Sequence, residues 1–428
     1  MRQQFSRRSF LSWTTGTAAA AVAAGSGVLR AEEKEAAEEE EGVTTQDRGA
    51  ARAGEKVEVD RQGKRKYPAS HPVRLLADTF VGWQTPCGRL DPVTCPLATY
   101  GAKRSSHNFM CIALYRAYEA TGIEAYKEAA DRFAVFYLSV LCPVPSLRPA
   151  HFGMGLIAYR EFKRHNPKLT DWDPVAQSLF EWMKPWRWDE GSYYRNGYGG
   201  GKMRDAGNIT DNAHAGRGLM AYHAVTGRAD VLAEAEGLSD YFLNEMKPGT
   251  YQGCWSSKLK MWAVAPTTQD RFEHFVNVCA CDMAWGYAAI EGIDYLTQLH
   301  AATKRQDLKT AIPEKCVAAM KWQFDDCQFN DGAVGMSGRE NKWVGMTAGA
   351  VLSFLRNRDA GFLSEKDAAA YRPKATAAVD WMMKNVNPKS ISNGGFFELT
   401  DKSWAAQKDC RAWHLAWGLE ALLRADEI

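Results

Sequence analysis

Small apolar residues recur with a helical period in six segments of this chain, at roughly 107–120, 151–164, 212–226, 281–300, 345–357 and 411–424. Runs such as Gly286-Tyr287-Ala288-Ala289-Ile290 and Gly345–Val351 are apolar nearly all round, which predicts helices buried on both sides. Five further segments, near 124–140, 173–184, 229–245, 309–323 and 365–385, carry charge, as in Glu124–Arg132 and Glu365–Lys374. These predict an outer layer with one wet face. The two kinds alternate. Inside a pair the turn is short, marked by Thr121-Gly122, Asn166-Pro167, Thr226-Gly227 and Asn357–Gly361. Between pairs the connections are long, at about 141–150, 185–211, 246–280, 324–344 and 386–410.

Two runs show the repeat directly: Ala113–Gly122 and Gly218–Gly227 both end in Thr-Gly and lead into an alanine-rich second helix. Such a unit cannot bury its apolar face alone, so neighbours must stack or close into a ring. The pattern predicts an all-α fold, an α/α toroid of about six helical hairpins, with His71–Phe80 supplying the partner that closes the ring. All the long loops then gather at the N-terminal ends of the inner helices. Function is expected on that face. Many of the fifteen tryptophans fall in these loops, where rings act as packing plugs or as flat platforms for sugars. Trp186, Trp255, Trp343 and Trp404, with Tyr193 and Asn212, are the candidates for substrate contact.

Composition changes this picture little. A chain of 428 residues with 46% hydrophobic residues can bury a large core, and 53 basic against 51 acidic residues leave a formal charge of +2. A nucleic-acid binder would carry a clustered basic excess. The N-terminus matters more. Ser6-Arg7-Arg8-Ser9-Phe10-Leu11, ahead of the alanine-rich stretch Gly16–Leu29, matches a twin-arginine export signal. Residues 1–31 are therefore expected to be a signal peptide, 32–67 a disordered charged linker and 68–428 the toroid. No later apolar stretch reaches the ~20 residues of a spanning helix. The protein is expected beyond the inner membrane, periplasmic or extracellular, meeting the twin-arginine machinery only in transit. Of the ten cysteines, Cys111 and Cys316 fit a core, whereas Cys87 and Cys95 flank a loop and are placed to pair after export.

Two stretches carry a family resemblance. Trp322 with Asp331-Gly332 ahead of Gly345–Leu352, and Trp381 with Asn393-Gly394-Gly395-Phe396 ahead of Trp413–Leu422, resemble the repeat of the terpenoid cyclase and protein prenyltransferase superfamily. There an outer helix ends in a Gly-rich aromatic turn before the next inner helix. Glu190-Gly191-Ser192-Tyr193 and Gln252-Gly253-Cys254-Trp255 are weaker echoes. The architecture is shared with six-hairpin glycosidases and several polysaccharide lyases. The resemblance, over most of residues 100–424, implies the fold more than any one chemistry.

The densest polar cluster is Tyr193-Tyr194-Arg195-Asn196, Arg204-Asp205 and Asn208–His214, running into an inner helix. Hydrolysis with inversion needs a carboxylic acid and a carboxylate some way apart, for which Asp211 or Asp205 pairs with Asp282, Glu398, Glu190 or Asp331. Elimination needs a neutralising group, a base and an acid, for which Asn212 or Arg204, His214 and Tyr194 suffice. Asn212 and His214 are similar to the Asn/His usage of toroidal lyases. The structural alternative reads Asp211 as a helix cap and His214 as a bonded core residue. Cys281, Asp282 and His414 resemble the Asp/Cys/His zinc site of protein prenyltransferases, and whether a metal binds there stays open. Gly199-Gly200-Gly201-Lys202 lacks the spacing of a phosphate loop, so no motif names a cofactor. The leading expectation is an exported enzyme cleaving glycosidic bonds of a saccharide, with hydrolysis ahead of elimination. Behind it stand a cyclase- or prenyltransferase-like toroid for an apolar substrate and a non-catalytic binding scaffold.

Overall fold

The computed structural model describes residues 57–91, 94, 105–142, 147–195, 209–247, 252–263, 286–336, 338–339, 342–385 and 412–428. The twin-arginine motif, the expected signal peptide and Cys95 lie outside the described residues. Twelve helices occur among the described residues. They are α1 (Pro72–Gly82), α2 (Ser105–Thr121), α3 (Glu124–Phe136), α4 (Pro149–His165), α5 (Asp173–Met183), α6 (Ile209–Thr226), α7 (Ala229–Leu243), α8 (Gly286–Ala302), α9 (Gln306–Asp325), α10 (Val344–Asp359), α11 (Glu365–Asn385) and α12 (Ala412–Leu423).

The even-numbered helices form a closed inner ring, each packed on the next and α12 on α2. The odd-numbered helices lie outside, each against one or two inner helices, and α1 packs on α2 and α12. This is the expected toroid, closed by the expected N-terminal helix. Burial follows the sequence pattern. In α10 every residue from Val344 to Leu355 is buried, and in α8 every residue from Gly286 to Ile293. Outer α3 buries only the stripe Tyr126, Ala129, Ala130, Phe133 and Ala134.

The Thr-Gly repeat is a helix-ending device used twice. Thr121 and Thr226 each donate their hydroxyl to a carbonyl one turn back, 2.7 and 2.8 Å away, and accept the N–H two residues on. Gly122 and Gly227 then take φ of 72° and 65°, a left-handed conformation that costs glycine nothing. The long connections also repeat. Gln84 and Gln328 each donate a side-chain N–H to the backbone of an outer helix, at Ala129 (2.9 Å) and Lys374 (2.8 Å). Small antiparallel hairpins, β3 (Arg187–Trp188) with β4 (Tyr193–Tyr194) and β5 (Trp255–Ser256) with β6 (Met261–Trp262), occupy the connections ahead of α6 and α8. Their ladders satisfy the backbone groups that aromatic-rich loops bury.

Inner helices approach closely where both are small. A Cβ on Gly153 of α4 would overlap the His214 carbonyl of α6, and one on Gly218 would overlap Gly153. A hairpin of β1 (Glu58–Val59) with β2 (Arg65–Lys66) lies at the short-turn end of the ring. Lys64 Nζ bonds the Glu119 carbonyl (2.7 Å), and Arg65 donates to the Leu423 carbonyl. Residues 57–67 thus lie on the toroid, although the charge pattern assigns them to the linker. Their lysine and arginine bond helix C-terminal carbonyls instead of water.

Candidate functional site

The first turns of α6 set Asp211, His214 and Arg217 at helical spacing, three residues apart, and all three are buried. Asp211 Oδ2 accepts from Arg148 Nη1 at 2.9 Å, and Arg148 Nε also meets His151 Nδ1 at 3.3 Å. His214 Nδ1 lies 3.1 Å from Glu291 Oε2 of α8, a carboxylate with no exposed surface. Arg217 grips the same oxygen, and its Nε reaches Asp294 at 2.5 Å. Asp294 in turn meets Arg356 Nε of α10 at 3.1 Å. A line of alternating charge thus runs from His214 into the ring, across three inner helices.

Aromatic rings connect this line to a second histidine. The His214 ring lies edge-on to Phe109 (5.9 Å), Phe109 to Trp417 (5.6 Å), and Trp417 stacks toward His414 (6.3 Å). His414 Nε2 shares a 2.5 Å hydrogen bond with the Tyr287 hydroxyl. Each histidine is therefore held by an oxygen partner from α8, a carboxylate for one and a phenol for the other.

The two carboxyl groups beside His214 are driven in opposite directions. Burial pushes Asp211 above the ordinary aspartate value, against the pull of Arg148 and His214. Burial also works to raise Glu291, but Arg217 and His214 outweigh it and hold that group below its ordinary value. The two carboxyls are thus moved apart, Asp211 upward and Glu291 downward. Such divergence between neighbouring titratable groups marks an acid and a charge-stabilising partner.

The other expected site residues scatter. Asn212 clamps β4, its Oδ1 accepting from the Tyr194 N–H at 3.2 Å. Tyr194 points outward: its hydroxyl donates to Glu234 of α7 at 2.8 Å, and burial raises the phenol well above its ordinary value. Tyr194 and His214, at opposite ends of the polar cluster, serve different layers. Tyr193 lines an outer cleft of about 560 Å³ with Trp188 and Tyr241, under the Arg187 guanidinium at 5.0 Å. Trp186 and Trp255 are 2% and 3% exposed and act as plugs, whereas Trp343 presents its ring edge to His414 at 5.8 Å. Arg204, Asp282, Glu398, Trp404 and Cys281 lie outside the described residues. Of the zinc-like set only His414 is described, with Tyr287 on its Nε2.

Glu291, Arg217, Arg148 and Tyr287 are not among the residues that the sequence marks as site candidates. Glu291 had a signal: it is a lone carboxylate inside the apolar run Tyr287–Ile293, and a charge buried there needs a partner.

No family model matches the chain, and no curated protein does. Solved structures match across most of its length. The GH76A α-1,6-mannanase of Salegentibacter sp. HEL1_6 is 12% identical, with 82% of this chain and 98% of that one covered at a TM-score of 0.59. A sugar epimerase from a ruminal bacterium is 12% identical, with 81% and 95% covered at 0.58. A possible GH105 member from Salmonella enterica is 14% identical, with 82% and 92% covered at 0.57. The chain has the α/α toroid fold of these proteins, and at this identity the likeness concerns fold.

Proposed function

We propose that the protein is a carbohydrate-active enzyme that hydrolyses a glycosidic bond at the loop end of the ring. The observation that carries this is the arrangement around His214, where one neighbouring carboxyl is pushed toward protonation and the other is held ionised. Protonated Asp211 donates to the leaving oxygen. His214, oriented at Nδ1 by Glu291, takes a proton from the attacking water at Nε2. Glu291 never meets substrate and is a positioning residue. Trp343, half-buried and 5.8 Å from the His414 ring, supplies aromatic surface for the apolar face of a sugar ring. The similarity to a mannanase and to a sugar epimerase supports a saccharide as the substrate. The N-terminal motif supports export by the twin-arginine route, which sets the reaction outside the cytoplasm.

The test is incubation of the full chain with a panel of poly- and oligosaccharides. New reducing ends are expected, lost by ~10²–10⁴-fold in Asp211→Asn and in His214→Ala. An unsaturated, ultraviolet-absorbing product would replace hydrolysis by elimination. The His414–Tyr287 pair favours a second reading, in which two histidines pass a proton across one sugar carbon. That reading predicts solvent deuterium on the recovered monosaccharide and no new reducing ends.

A further inference from the structure

A second cavity, of about 530 Å³, opens at the opposite, short-turn end of the ring. Every inner helix contributes a charged side chain to it: Arg116, Arg160, Arg217, Asp294, Arg356 and Glu420. Ile112 and Leu352 also line it, and Gly63 of the β1–β2 hairpin and Glu427 add residues from outside the ring. The volume falls within the ~300–1,000 Å³ of ordinary small-molecule sites.

The charges define the ligand. Among the described residues each lining arginine already has an acidic partner, as in Arg116 with Glu119 at 2.9 Å, Arg160 with Glu161 at 2.6 Å and Arg356 with Asp294 at 3.1 Å. An anion would have to displace those carboxylates, and a cation would meet the arginines. Glu420 differs from its neighbours: among the described residues it makes no ion pair or hydrogen bond, and burial raises its carboxyl despite Arg356 and Arg116 nearby. It is a spare acceptor beside guanidinium donors and aliphatic surface. Neutral polyhydroxylated molecules match this set. Their hydroxyls donate to Glu420 and accept from Arg116 or Arg356, and their C–H faces cover Ile112 and Leu352.

We infer that the short-turn cavity is a binding site for a small neutral polyol or sugar, separate from the loop-end site and independent of the reaction proposed for it. The test is hydrogen exchange of the full chain with mannose, cellobiose or sorbitol, and with sodium sulfate or putrescine as charged probes. A neutral probe is expected to slow exchange in residues 58–66 and 116–123 at least several-fold. Glu420→Gln should abolish that protection, as should Leu423→Trp, which fills the cavity wall; Asp211→Asn should keep it. Protection confined to the loop end, stronger protection by sulfate or putrescine, or protection unaffected by Glu420→Gln each overturns the inference. So does the absence of protection by every probe. Glu420→Gln preserves side-chain volume and decides the matter if the tryptophan variant fails to fold.

Discussion

The two ends of the ring are built from the same six helices and carry different chemistry. At the loop end, aromatic rings isolate two histidines, each held by one oxygen. At the short-turn end, arginines and carboxylates interlock in a mesh. Helix direction explains part of the contrast. The inner helices start at the loop end, where partial positive charge suits Asp211 in the first turn of α6. They finish at the short-turn end, where Lys163, Arg164 and His165 occupy the last turn of α4, and Arg356 and Arg358 that of α10. Aromatic rings therefore gather around the histidines at one end, and at the other most of the charges meet an opposite. Arg217 and Glu291 join the two regimes.

Cutting that joint should have the largest effect. Glu291→Gln leaves Arg217 buried with one carboxylate fewer and frees His214. A stability loss of ~3–5 kcal/mol in denaturant midpoint is expected, with a fall in kcat. The double variant Glu291→Gln/Arg217→Met should regain much of the stability and none of the activity. A double variant as unstable as the single one would show that the charge line is not what holds the two ends together.

Next in size is Gly153→Ala, which places a Cβ against the His214 carbonyl. Overpacking of this kind costs ~1–3 kcal/mol in a thermal melt, and activity should fall further than stability because His214 is displaced. Arg148→Met makes a smaller and more pointed change. Arg148 lowers Asp211 against burial, so its removal raises that carboxyl further. In the proposed mechanism Asp211 works protonated, and rate falls as pH rises through its pKa; the alkaline limb of the pH–rate profile should therefore move to higher pH. An unmoved limb would assign the acid elsewhere.

The smallest effect belongs to the mesh. Burial works to raise Glu119, but His165, Arg116 and Arg164 outweigh it and lower the group from 4.5 to about 2. Its stabilisation is present above the ordinary value and lost as pH falls from about 4.5 toward 2. The melting temperature should drop through that window, and Glu119→Gln should flatten the drop.

The fold was legible because its signals are local. Thr-Gly ends a helix in the same way at Thr121 and at Thr226, and continuous apolar runs can only be inner helices. The site was legible in part. Asp211 and His214 stand in one motif at an inner-helix start, and the structure keeps them together. Tyr194 shares that motif, but the β3–β4 hairpin turns it to the outer layer, which no spacing along the chain reveals. Trp186 and Trp255 stand out in the sequence by residue type alone, and in the fold both are buried. Glu291 and Arg217 lie far apart in sequence, and their pairing follows only once α6 and α8 are neighbours.

The β1–β2 hairpin has a consequence for timing. Arg65 bonds the carbonyl of Leu423, 358 residues further along, and its guanidinium also meets Asp426 at 2.8 Å. Helix α1 likewise waits for α12. The ring is a clasp whose two halves lie 358 residues apart in the chain, so a growing chain stacks hairpins before it can fasten them. Contacts of such separation form slowly. The ring becomes a closed object only once α12 is there to meet α1 and α2.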